Sequence, residues 1–278
     1  GISIQGSNVT ADRLTIAGNL NTGLYLGSSS NVVMTQTTIS ENIGYQVEFR
    51  EGEGAATLSL NYSHLQSGDE SVNYNDNGSL SLNNGIYYDS AEFVDKESGN
   101  FHLTASSKLI NAGNPDSLDS DGSVADIGYH PYLNDYSGPI WYVTMEGDNI
   151  DGTGSNESKF ASIQAAINFA NNGDSISVAS GTYYENINMR SKIVKVVGDN
   201  YQNTIIDGNQ SGSVITFMNN THGALIKNFT IQNGQAVYDP PPKWEQTFGA
   251  AGGGIRTAGS RPFLENLVIK NNSAHLGG

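Results

Sequence analysis

"GISIQGSNVTADRLTIAGN" (Gly1–Asn19) is followed almost at once by "GLYLGSSSNVVMTQTTISEN" (Gly23–Asn42), and the two stretches share one grammar. Each opens on Gly and an alternating apolar pair, Ile2 and Ile4 in the first, Leu24 and Leu26 in the second, and each closes on Thr-Ile-x-x-Asn. The openings lie 22 residues apart and the closings, at Thr15 and Thr38, lie 23 apart, so one loop residue has been inserted. A fainter third pass runs from Gly44 through Tyr45, Val47 and Phe49 into "LSLNYSHL" (Leu58–Leu65). A period in the twenties with two or three short strands per period marks a repeat whose units bury their inward faces only by stacking on one another. Short strands joined by Asn, Gly and Ser turns fit an all-β chain, specifically a right-handed parallel β-helix.

The second half repeats the logic. "ALIKNFTIQN" (Ala224–Asn233) matches "PFLENLVIKN" (Pro262–Asn271) at a separation of 38, aligning Asn228 with Asn266 and Ile231 with Ile269. That spacing exceeds one bare round, and the excess sits in "GQAVYDPPPKWEQTFGAAGG" (Gly234–Gly253). Its three consecutive prolines supply no ladder donors, so the loop should project outward. Asparagines at equivalent turn positions predict a stacked amide ladder. Ile2, Leu24, Ile205 and Ile231 are expected in the inward-facing apolar column.

One stretch departs from the strand pattern. In "FASIQAAINFANNGDSISVASGTYYENI" (Phe160–Ile187), Phe160, Ile163, Ile167 and Ala170 share one helical face, and Asn171-Asn172-Gly173 stops it, which predicts a helix over about 160–171. Laid across the end of a strand stack, such a helix covers edges that would otherwise recruit other chains. Burying each large apolar side chain contributes about 1.5 to 3 kcal/mol. The helix therefore marks the start of a second stack, capped at its N-terminal end. "LNDYSGP" (Leu133–Pro139) reads as a polar linker, which divides the chain into 1–136, the closing part of a first stack, and 137–278, the opening part of a second.

Composition narrows the partners. The chain of 278 residues has 33 Gly, 7 Pro, no Cys and 15% charged residues, a mixture that favours short strands and turns over helical bundles. A formal charge of −15 disfavours nucleic acid and anionic membranes, because phosphate binding rests on Lys and Arg. With no cysteine there is neither a disulfide framework nor a thiolate metal site. No apolar run reaches the roughly 18 residues that span a bilayer. The ends, Gly1 and "AHLGG" (Ala274–Gly278), read as those of an internal fragment of a monomeric protein.

Several segments resemble known proteins. The series Phe93-Val94-Asp95, Gly99-Asn100-Phe101-His102-Leu103, Ser107–Gly113, Asp119-Ser120-Asp121-Gly122 and Ala125-Asp126-Ile127-Gly128 resembles the closing segment of secreted right-handed β-helix proteins. "WYVTMEGDNIDGTGSNESKFASIQAAI" (Trp141–Ile167) is similar to the entry segment of pectin-lyase-like β-helices, and Gly252–Gly278 to their glycine-rich repeat. The resemblance implies an exported bacterial protein, secreted or held at the cell surface. It implies no particular reaction, because the fold hosts lyases, hydrolases, esterases, adhesins and inert spacers alike.

Three constellations bear on function. "NPDSLDSDGSVAD" (Asn114–Asp126) offers Asp116, Asp119, Asp121, Ser123 and Asp126 around a Gly turn, either as ligands for a structural Ca²⁺ or as a solvated acidic turn; the order and distal Glu of an EF-hand are missing. The proline loop carries Tyr238, Lys243, Trp244 and Phe248, which suit sugar rings or pin the loop to the flank. "FASIQAAI", "GTYYENI", "KIVKVVGDNYQNTIIDGN" and "NGQAVY" resemble pectin methylesterases, whose Gln at the position of Gln235 helps hold an oxyanion. The segments that supply that family's catalytic carboxylates are absent, as are the motifs of polygalacturonases and pectate lyases. Asp207 reads as a turn former before Gly208, and the five histidines have no metal-ligand spacing. Two functions remain: a noncatalytic surface module that binds extracellular polysaccharide, or a piece of a pectate-lyase-like or pectin-methylesterase-like enzyme whose catalytic rounds lie outside this chain.

Overall fold

The structure, a computed structural model, describes residues 1–51, 54–219, 221–236 and 252–274. The protein is all-β, with mostly parallel strands in stacked sheets and one short α-helix among the described residues. It divides into two compact units, Gly1–Asn134 and Asp135–Gly278.

In the first unit the strands come in rounds of three. Ile2–Gln5 (β1), Asn8–Asp12 (β2) and Thr15–Ala17 (β3) are followed by Leu24–Gly27 (β4), Asn31–Thr35 (β5) and Thr38–Ser40 (β6). Then come Val47–Phe49 (β7), Ala56–Asn61 (β8) and His64–Leu65 (β9), with Val72–Asn73 (β10) and Gly78–Leu82 (β11) beginning a fourth round. Equivalent strands of successive rounds pair in parallel as β1-β4-β7-β10, β2-β5-β8-β11 and β3-β6-β9. The register is the one the repeats dictate, Ile2 beside Leu24 and Thr15 beside Thr38.

Alternation sets which face is buried. Val32, Met34, Leu58 and Leu60 point into the core from the second sheet, and Leu24, Leu26, Val47 and Phe49 from the first. Between the second and third strands of a round the chain bends at one residue of left-handed backbone: Arg13 (φ 53°), Gln36 (φ 52°) and Tyr62 (φ 44°). Beyond the rounds, Phe93–Asp95 (β12) and Asn100–Leu103 (β13) form an antiparallel pair, and the segment to Asn134 returns against the third sheet.

The second unit opens with Ile140–Val143 (β14) and the helix Ile163–Phe169 (α1). Ser175–Val178 (β15), Gly181–Tyr184 (β16) and Ile187–Asn188 (β17) follow, then Lys195–Gly198 (β18), Thr204–Asp207 (β19) and Ile215–Met218 (β20). Leu225–Gln232 (β21), Gln235–Ala236 (β22), Ile255–Ala258 (β23), Phe263–Lys270 (β24) and Ser273–Ala274 (β25) complete it. All named pairings here are parallel. β21 bends at Asn228 (φ 65°), so its first half pairs β18 and its second half β19.

Three expectations are corrected. The helix is Ile163–Phe169, shorter than 160–171, because Ser162 is extended and caps it by accepting from the amide of Ala165, while Phe160 bridges to Val143. Ile2 is 37% exposed, since β1 is the end strand of its sheet and has a neighbour on one side only. In β19 it is Ile206, not Ile205, that enters the core, between Tyr183 and Ile231. The asparagine ladder forms as expected: Asn266 Nδ2 donates to Asn228 Oδ1 at 3.2 Å, and Asn228 Nδ2 donates to the carbonyl of Gly198 at 3.1 Å.

Candidate functional site

The acidic loop of the first unit is the densest cluster of chemically capable residues named from the sequence. Asp119 is buried; one carboxylate oxygen accepts from Arg13 Nη1 at 2.7 Å and the other from the amide of Asp126 at 2.8 Å. Asp126, also buried, accepts from the amides of Asn111 (2.6 Å) and Tyr132 (2.7 Å). Asp121 accepts from the amide and hydroxyl of Ser123 through one oxygen, and from the amide of Asn134 at 2.8 Å through the other. The turn closes at Gly122 (φ 86°), whose amide donates to the carbonyl of Asp119, a backbone that favours glycine. Asp116 stays exposed.

This arrangement is a set of clamps. Arg13, from the bend between β2 and β3, is tied to the loop through Asp119, and Asp126 and Asp121 fix the chain on either side. Burial pushes the Asp126 carboxyl up to about 7; the two amides oppose that, and the charges of Asp119 and Asp121 add to it. Burial also raises Asp121, but the donors from Asn134 and Ser123 prevail and hold it below the ordinary carboxylate range. Asp119, Asp121, Ser123 and Asp126 thus share one loop, with their carboxylates turned to protein donors. Among the described residues no three His, Cys, Asp or Glu side chains are grouped to hold a metal ion.

Other sequence candidates fall elsewhere. Tyr238, Lys243, Trp244 and Phe248 lie outside the described residues. Gln235 sits in β22 beside Ser273, its amide donating to the carbonyl of Gly212. Asp207 is a turn clamp: its carboxylate accepts from the amide of Asn209 and from the side chains of Gln232 and Asn233, and these donors outweigh burial to lower its pKa.

The histidines are less scattered than their sequence spacing suggests. His64 is buried between Thr38 Oγ1 and the carbonyl of Asp89, each at 2.6 Å, and burial lowers its pKa to about 4 against the opposing carbonyl and charge of Asp89 and the charge of Glu41. His102 and His130 stack on each other. No short-range spacing signals that pair, because 28 residues separate its members and only the returning segment unites them. Arg13 was equally unreadable as a clamp, since its partner is 106 residues away.

No protein family, curated protein or solved structure matches this chain. Among the described residues no helix is long and apolar enough to cross a membrane.

Proposed function

We propose that the chain contains two right-handed parallel β-helical stacks, the second capped by α1, and that it serves as a noncatalytic module of an exported bacterial protein, engaging extracellular polysaccharide as a monomer. The observation that carries this reading is the outward face of the β2-β5-β8-β11 sheet. There Asn8, Asn31, Thr57 and Ser79 stand side by side in register, with Asp12, Thr35 and Asn61 in a parallel row. Strands spaced about 4.7 to 4.9 Å apart present these amides and hydroxyls at a regular pitch, which suits a polymer whose own hydroxyls recur regularly. Thr57 Oγ1 donates to Asn31 Oδ1 at 2.7 Å, so the row is ordered before a ligand arrives.

Support for a noncatalytic role comes from how the carboxylates are used. Acid–base chemistry needs a carboxyl free to exchange protons with a substrate. Asp119, Asp121, Asp126 and Asp207 instead accept hydrogen bonds from the protein's own amides and side chains. The net charge of −15 further favours neutral glycans over polyuronates.

A glycan array probed with the full chain tests the reading. Signal on neutral polysaccharides, weakened by Thr57→Lys, is the expected result; uniform background across neutral glycans and uronates removes polysaccharide binding. Release of methanol or unsaturated uronides from pectin by the same protein would establish the enzymatic alternative.

A further inference from the structure

His102, on β13, and His130, just after the turn at Gly128, belong to segments that are anchored separately. β13 is held by pairing with β12 and by Phe101, which packs edge-on to Phe93 and lies so near Gly18 that a Cβ there would come within 2.6 Å of its ring. The other segment is held by the amide of Gly128 on the carbonyl of Gln36 (2.9 Å), the amide of Tyr129 on Thr15 Oγ1 (3.0 Å) and the amide of Tyr132 on Asp126. The two imidazoles that result have centroids 4.1 Å apart and planes 24° apart. Tyr129 sets its ring against His130 at 4.6 Å. His102 and Tyr129 are exposed and His130 is partly exposed, so the pair opens to solvent.

We propose that His102 and His130 form a two-histidine site for a borderline divalent ion of the zinc, nickel or copper class, with water completing its coordination. Imidazole nitrogen is a ligand such ions share, whereas Ca²⁺ and Mg²⁺ prefer oxygen. A Zn–N bond of about 2.0 to 2.1 Å at a tetrahedral angle asks for two nitrogens roughly 3.3 Å apart. Two near-parallel rings at the observed separation reach that bite by small side-chain rotations. Burial, and the proximity of His102, hold the pKa of His130 below its ordinary value, which leaves a lone pair available at neutral pH. The bound ion would staple β13 to the 129–132 segment and so hold the returning chain against the rounds. This site does not depend on polysaccharide binding.

Calorimetric titration of the full chain at neutral pH with ZnCl2, NiCl2 and, as control, CaCl2 tests the proposal. One transition ion per chain is expected, with binding weaker by about tenfold or more in His102→Asn and in His130→Asn, unchanged in Tyr129→Phe, and no matching response to calcium. Far-UV circular dichroism shows whether the variants keep the fold; should either unfold, a zinc-dependent rise in Tm of the wild type that Tyr129→Phe retains, with zinc displacing protons from two histidines by NMR titration, carries the test. Absence of zinc and nickel binding in the wild type, or equal affinity in the folded double variant, overturns it.

Discussion

Asn228 holds a left-handed backbone in the middle of an extended run, and its side chain is bonded on both sides, to Gly198 and to Asn266. An L-residue without a polar side chain adopts that backbone at a cost of about 1 to 2 kcal/mol, and each lost amide bond adds roughly 0.5 to 1.5 kcal/mol. Asn228→Ala should therefore lower the urea midpoint clearly, and Asn228→Gly, which keeps the backbone and loses only the amide, should lower it less. His64 gives a pH test. Its unfolded pKa is 6.5 and its folded value about 4, so between those values the unfolded chain takes up a proton that the folded chain refuses. Stability should be level above pH 6.5 and fall by roughly 3 kcal/mol as pH drops to 4, a slope that His64→Gln removes in pH-dependent melts. The asparagine ladder was legible because aligned repeats put Asn228 over Asn266. The choice between Ile205 and Ile206 was not, because two adjacent isoleucines satisfy alternation equally and only the register with Tyr183 and Ile231 decides it.

At the scale of elements, α1 is seven residues long and held at both ends. The carboxylate of Glu185 accepts from the amides of Ile163 and Gln164, each at 2.8 Å, and Lys192 Nζ donates to the carbonyls of Ile167 (2.8 Å) and Asn168 (2.7 Å). Negative charge at the start and positive charge at the end complement the helix dipole and satisfy groups that lack partners within the helix. Glu185→Ala and Lys192→Met should each cost about 1 to 2 kcal/mol, seen as faster amide exchange confined to Ile163–Phe169. Gln164 matters differently: its side-chain amide accepts from the N–H of Asn188 at 2.8 Å and donates to the carbonyl of Asn188 at 3.2 Å, standing in for a neighbouring strand. The helix was readable from Ile163, Ile167 and Ala170, but its start was not. Phe160 fits the apolar periodicity equally well as a buried bridge residue, stacked with Trp141 and Phe169.

For the whole molecule, repeat spacing predicted parallel stacking in both halves, and the register follows it. What spacing could not convey is what the returning segment of the first unit brings together: Arg13 with Asp119, and His102 with His130, are contacts between distant stretches with no periodic signature. The acidic loop illustrates the ambiguity, since the same Asp spacing serves an ion or a set of backbone clamps. Because the clamps occupy both oxygens of Asp119, Asp121 and Asp126, the Tm should be the same in millimolar calcium and in EGTA. Asp126→Ala, which leaves the amides of Asn111 and Tyr132 without their acceptor, should cost roughly 2 to 5 kcal/mol, read from the shift in midpoint.

The absence of cysteine makes register directly measurable by introducing pairs. Asn31 and Thr57 are in-register neighbours on β5 and β8, whereas Asn61 lies four residues further along β8, roughly 13 Å away. In a parallel stack, Asn31→Cys with Thr57→Cys should oxidise rapidly to an intramolecular disulfide, and Asn31→Cys with Asn61→Cys should not. Equal cross-linking of the two pairs, or linkage of the offset pair alone, would contradict the stacked parallel architecture from which every functional reading here is built.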